Sequence, residues 1–363
     1  MPKSIHIFFA SIFLFNACHS QANNIKIITK HRSPTQFKDF VIVNNQIFGL
    51  TNKGRIECFD ENGEPVENNF KTDTGLLIIT KDKNDNVITG DSKNRIKRYD
   101  NVNKHWDIIF KSPDNISSAI FDGGNNLYLI TERGILDTKT NKTYLPTEFY
   151  NPQLQLPDAW ASHPVYAVDN QENIWLGFGF GEWGGELLVF STTKKQFINL
   201  HLGDYKIGLM PVKSIFVDGE RIFISTGLMH FDMNGSIIEF TDLKPKVIFK
   251  SDSYRNDFSD STKWEIVEGE YIGPAAFNKN EGVIYFYSQN GVFKGNPNDH
   301  LSKIQDWEKI LKPKLKWSDG QPDAVGSPMN VFRLAFTGSN KLVFVTQLDG
   351  IGIFDGKSLI MVQ

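Results

Sequence analysis

The chain has 363 residues, and its 39 basic and 42 acidic side chains leave a formal charge of −3. Hydrophobic residues make up 40% and charged ones 22%, which excludes intrinsic disorder, collagen, coiled coil and a polytopic membrane protein. The near-balance of charge offers no basic stripe, so no nucleic-acid partner is expected. Twenty-nine Phe against six Met favour pleated surfaces over helical bundles.

The first element is a leader. Lys3 precedes an apolar run over 5–15, interrupted by His6 and Ser11. A bilayer needs about 20 helical residues, so this run is a signal-peptide core and not an anchor. It ends Leu14-Phe15-Asn16-Ala17-Cys18, a small residue directly before cysteine, which resembles the lipobox of bacterial lipoproteins. The resemblance implies that 1–17 are removed, that Cys18 carries lipid and that 18–24 form a short tether. It also implies a bacterial cell-envelope address, with the membrane touched only through Cys18. His19 replaces the aspartate that retains many such lipoproteins in the inner membrane, so the outer membrane is favoured. Cys58 then has no disulfide partner. The alternation of Arg55-Ile56-Glu57-Cys58-Phe59-Asp60 puts it in a buried strand.

A repeated unit fills the rest: an apolar strand, a turn rich in Asp, Asn and Gly, a second apolar strand, then a third that often ends in an aromatic residue and Asp. Second strands are expected to start at Ile47, Val87, Leu127, Ile174, Ile222, Val283 and Leu342, spaced 40 to 61 residues apart. Third strands close at Phe59-Asp60, Tyr99-Asp100, Phe231-Asp232 and Phe354-Asp355. Units of this length with about four strands each are propeller blades, so an all-β, seven-bladed β-propeller is expected over 25–363 as one domain. Asp82-x-Asn84-x-Asn86 echoes a calcium loop but lacks its bidentate Glu, so hairpin turns are expected and neither metal nor cofactor.

Asp169, Asn173-Ile174-Trp175-Leu176-Gly177, Gly184-Gly185 and Leu188-Val189-Phe190 resemble the repeat of two-component-regulator propellers. The resemblance is best in blade four, and it implies the fold more than a function. Such propellers usually precede a transmembrane segment and a kinase. This chain ends at Gln363 without either, so a stand-alone lipoprotein propeller, a monomer, is expected.

Fourth strands follow at Trp106, Lys246 and Trp307, where both indoles are expected to be structural. The last blade matches only the first half of this pattern. Residues 25–30 would supply the missing half, sealing the ring and removing an open sheet edge.

The long connections, 146–164, 251–273 and 313–330, share one face with the second-to-third-strand loop 177–186. They carry Tyr150, Trp160, Trp183, Tyr254, Trp264, Tyr271 and Trp317, suited either to stacking on a ligand or to small cores of the insertions themselves. Gly179, Gly181 and Gly184 satisfy G-x-G-x-x-G, but a strand follows, so dinucleotide binding is rejected. That loop is expected instead to aim Glu182 and Trp183 at the central funnel. Trp160, His163, Glu182 and Trp183 are expected to form one wall, with Arg255 and Arg333 reaching it from later blades. The function expected is binding of a protein or glycan ligand on the long-loop face. The alternative is a lyase or hydrolase using carboxylates there, with Glu182, Asp158, Asp260 and His163 as candidates; no catalytic set is fixed by spacing.

Overall fold

Asp82, Asp122 and Asp169 each turn one strand back onto the next in the same way. The Asp82 Oδ1 accepts from the backbone N–H groups of Asn84 and Asn86 at 2.9 Å, and the Asn86 amide closes on Oδ2 at 2.8 Å. Asp122 with Asn126, and Asp169 with Gln171 and Asn173, repeat the arrangement. A carboxylate that caps its own turn in this way makes a hairpin.

The computed structural model describes residues 25–30, 36–66, 74–156, 158–229, 233–251, 254–256, 264–266, 269–313, 315 and 331–363. The hairpins join the strands of seven antiparallel blades. Blade one is Phe37–Val43, Gln46–Thr51 and Ile56–Phe59; blade two is Leu76–Lys81, Val87–Asp91, Arg95–Asp100 and His105–Lys111. Blade three is Ile116–Phe121, Leu127–Thr131, Gly134–Asp137 and Lys142–Tyr144; blade four is Val165–Val168, Asn173–Gly179, Gly185–Ser191 and Gln196–Ile198. Blade five is Val212–Asp218, Arg221–Met229, Met233–Thr241 and Lys244–Ser251. Blade six is Ala275–Asn278, Val283–Ser288, Gly291–Gly295 and Glu308–Leu311; blade seven is Val331–Phe336, Leu342–Thr346, Ile351–Phe354 and Ser358–Val362.

Each sheet buries both faces against its neighbours, which is why the second strands read as nearly continuous apolar runs. Trp175 of blade four is fully buried, meets Phe240 of blade five with ring centroids 5.1 Å apart, and donates its indole N–H to Asp169 at 2.9 Å. Trp307 packs on Phe286 and Phe249, and Trp106 on Tyr99, so both are structural as expected. Cys58 is buried, as expected of its strand, with its Sγ 3.9 Å from Gln46 Oε1.

The ring closes with a difference from expectation. Blade seven already holds four strands of its own. Lys26–Lys30 is added as a fifth, outermost strand, parallel to Ser358–Val362 from Lys26 opposite Ser358 to Lys30 opposite Val362. Phe37, Phe40 and Phe59 of blade one then pack with Val343, Ile351 and Ile353 of blade seven. The leader, Cys18, Phe231-Asp232, Asp260, Trp317 and the side chains of Tyr254, Arg255 and Trp264 lie outside the described residues. Among the described residues no helix is long and apolar enough to cross a membrane.

Candidate functional site

The first strand of each blade enters the ring from the face that carries the connections between blades. In blades one, two, three, five and seven its pairing slips by one residue near that entry. The slip is a β-bulge: Lys38, Leu77, Ser117, Lys213 and Phe332 stand unpaired, so each shares a direction with the residue after it. Lys38 and Asp39, Lys213 and Ser214, and Phe332 and Arg333 all line one central cavity of about 520 Å³. Every first strand contributes to it, at the end where the long connections rise.

Three cations face one carboxylate along this lining: Lys38, Lys213 and Arg333 against Asp39. Arg333 donates to Asp39 Oδ1 at 2.8 Å and to the Phe40 carbonyl at 3.0 Å, with its guanidinium 5.4 Å from the Phe40 ring centre. Asp39 beside it raises the guanidinium pKa further. Lys38 donates to the Leu76 carbonyl at 3.3 Å; burial lowers its pKa and Asp39 opposes the shift. Among the described residues Lys213 meets only the ring of Tyr271, 5.8 Å away, and burial pushes its pKa down to about 8. His163 exposes its imidazole beside them. Its Nδ1 lies 2.7 Å from the Ser117 carbonyl, which can only accept, so Nδ1 carries the proton and Nε2 is the exposed nitrogen.

Of the six side chains expected to meet, His163 and Arg333 share this channel. Trp160 does not face it. The indole is 4% exposed and packs edge-to-face on Phe178 in the core beneath blades three and four. Glu182 and Trp183 are exposed on a short 3-10 turn, Gly181–Trp183, away from the channel lining. Gly184 and Gly185 serve close packing, whereas Gly181 stands in open space with φ 61°. Gly184 has φ 85°, and a Cβ there would lie 1.9 Å from the Gly208 carbonyl. The loop is thus pressed against the connection into blade five, and Trp183 lies over that connection. Arg255 pairs through its backbone with Glu265 in a small hairpin.

Trp183 lines a second, surface cavity of about 910 Å³ with Tyr150, Asn151, Tyr205, Lys206 and Leu209. Glu186 is buried under its rim. One carboxylate oxygen accepts from the Asn151 backbone N–H, and the other has no hydrogen-bond partner among the described residues. Burial raises its pKa to about 7 against the pull of the Asn151, Tyr150 and Leu187 N–H groups. The Asn151 amide ties this rim together, donating to the carbonyls of Trp183 at 2.8 Å and Gly208 at 3.2 Å.

Among the described residues Asp100, His105 and Asp107 bring possible metal-ligand atoms within 4.8 Å of one another. They are engaged in their hairpin: Asp100 accepts from Val102 and Asn103, and His105 Nε2 meets Asp107 at 2.8 Å.

Lys38, Lys213 and the 199–211 connection are functional features not foreseen from the sequence. Aligning the seven first strands on their core residues would have put Lys38, Ser117, Lys213 and Phe332 in one column.

The chain is similar in structure to the extracellular domain of the putative hybrid two-component system BT4673 from B. thetaiotaomicron. The TM-score is 0.58 at 15% identity, covering 91% of this chain and 39% of that one. It is also similar to PorZ, a bacterial surface component of the type-IX secretion system of Porphyromonas gingivalis, at TM-score 0.55 and 11% identity, covering 88% of this chain and 46% of that one. The Dos1 propeller aligns at 0.52 and 12%, covering 90% and 84%. What is shared is the propeller. The chain spans less than half the length of the first two structures. No family model and no curated protein matches it.

Proposed function

We propose that the protein is an envelope-anchored binding module, tethered through a lipid on Cys18 and taking its ligand into the central channel. One observation carries this reading: a 520 Å³ cavity lined by all seven blades, with an ammonium group, Lys213, that no described carboxylate neutralises. Pockets that bind small molecules have this size and this mixture of apolar wall and few placed polar groups. The extracellular and surface propellers among the similar structures agree with an exported chain. A lyase or hydrolase of the two-carboxylate kind is less well supplied. Among the described residues the channel lining carries one carboxylate, Asp39, and Arg333 holds it, while Glu182 is exposed elsewhere.

Two measurements test this. Thermal unfolding against a panel of neutral sugars, acidic sugars, small organic acids and peptides should show saturable stabilisation by at least one class, with the ligand recovered unchanged. Conversion of that ligand to products would replace the binding module with an enzyme. Metabolic labelling with a palmitate analogue should tag the wild type and not Cys18→Ser. Equal labelling of both would remove the anchor.

A further inference from the structure

A buried ammonium without a counter-charge is costly, and structures normally pair it or replace it with an apolar side chain. Among the described residues Lys213 has neither remedy. Val212 and Ile215, 5% and 8% exposed, supply the packing of its strand, and the bulge turns Lys213 away from them into the channel. With a pKa of about 8 it keeps its proton at neutral pH. Among the described residues Lys38 donates only to the Leu76 carbonyl, a neutral acceptor. Arg333 and Asp39 cancel one another at 2.8 Å. Among the described residues two positive charges therefore remain in the channel, in a chain whose formal charge is −3. They stand on blades one and five, across the ring from each other.

The hydroxyl groups between them are set as acceptors. Ser117 donates its proton to the Ile130 or Trp160 carbonyl, and Ser118 donates to the Ser117 carbonyl at 2.8 Å. Tyr166 donates to the Ala119 carbonyl at 3.1 Å, and its oxygen is already met by the Thr80 hydroxyl at 2.8 Å. The lone pairs of Ser117 and Ser118 are left to meet any hydroxyl proton that a ligand carries. Leu77 and Phe332, both partly exposed at the mouth, offer an apolar rim.

We propose that the channel binds a small organic dianion, a dicarboxylate or a phosphate monoester, between Lys213 on blade five and Lys38 on blade one. The inference rests on the channel being the ligand site. Both ligand types share two negative charges on a body small enough for the cavity. A channel whose described lining has a net positive charge also concentrates such ions before they dock.

Isothermal titration of the full chain at low salt tests it, with succinate and glycerol phosphate as probes and succinamide and glycerol as their neutral counterparts. At least one dianion should bind, more weakly as salt rises, and neither neutral compound should. Succinate alone would assign carboxylate chemistry, and glycerol phosphate alone phosphate chemistry. Lys213→Met, which keeps the chain length and removes the charge, should weaken binding about tenfold or more. Lys213→Arg should restore most of it. If Lys213→Met does not fold by circular dichroism, Lys38→Met carries the same expectation. Failure of both dianions to bind, or equal binding of the neutral compounds, or a Lys213→Met protein that binds like wild type, overturns the proposal. Neutral sugars stabilising the protein while dianions do not would overturn this inference and leave the binding module standing. Silence from every compound in both experiments would remove both.

Discussion

Glu186→Gln should stabilise the protein at pH 8 by about 3 kcal/mol and leave it nearly unchanged at pH 4. The carboxyl is fully buried, and its pKa is raised from 4.5 to about 7. The folded protein therefore holds this proton more tightly than the unfolded chain does. That contribution is present in full below about pH 4.5 and is lost as pH rises through about 7. Above pH 7 the native state carries an ionised carboxylate with one oxygen unpartnered among the described residues. Glutamine imitates the protonated form at every pH, keeping an oxygen for the Asn151 N–H. Chemical denaturation of both proteins from pH 4 to pH 8 gives the measurement. The stability difference should open between pH 4.5 and 7; a difference that stays flat would show that Glu186 reaches solvent or a counter-ion. Because Asn151 and Tyr150 line the surface cavity, the same titration should loosen that rim as the carboxylate charges.

The blade pattern was legible because two local rules agree along the chain. Apolar alternation marked the second strands, which begin at or within one residue of the expected positions in all seven blades. Asp-x-Asn turns marked where each strand reverses, since a carboxylate that caps its own backbone is written entirely in neighbouring residues. Ring closure was legible only in part. The apolar run at 25–30 showed that it pairs, but its place as a fifth strand depends on Ser358–Val362 being long enough to complete blade seven unaided.

The site was less visible, for a geometric reason. A bulge shifts the inward-outward parity of a strand by one residue, and no Gly or Pro marks it at Lys38, Lys213 or Phe332. Plain alternation cannot show that Lys213 and Ser214 both face the channel. His163 and Arg333 were found because each stands at the entry of its blade, where the connection ends. The aromatic residues of the insertions divide as their burial dictates. Tyr271 and Trp160 are 2% and 4% exposed, whereas Tyr150 and Trp183 are 42% and 63% exposed. Composition alone does not distinguish a ring that fills an insertion's own core from one that offers its face to solvent.

That division gives the sharpest pair of substitutions. Trp160→Ala should destabilise the protein by about 3–5 kcal/mol, the usual cost of truncating a large aromatic residue in a core. The indole packs edge-to-face on Phe178 at 5.5 Å, within a cluster that includes Ile130, Leu154 and Leu188. The Ser117 hydroxyl donates to the Trp160 backbone carbonyl at 3.1 Å, a bond that alanine keeps, so the cost comes from the lost packing. Trp183→Ala should change stability by no more than about 0.5 kcal/mol, because its ring is largely in water and the Asn151 bond uses only its backbone carbonyl. Urea denaturation of the two variants checks both magnitudes. Their binding separates the two cavities. If the ligand sits in the channel, Trp183→Ala should bind it as wild type does. A folded Trp183→Ala protein that binds about thirtyfold more weakly would instead make the indole an anchor of the 910 Å³ surface cavity, since a central aromatic contact is worth about 2 kcal/mol.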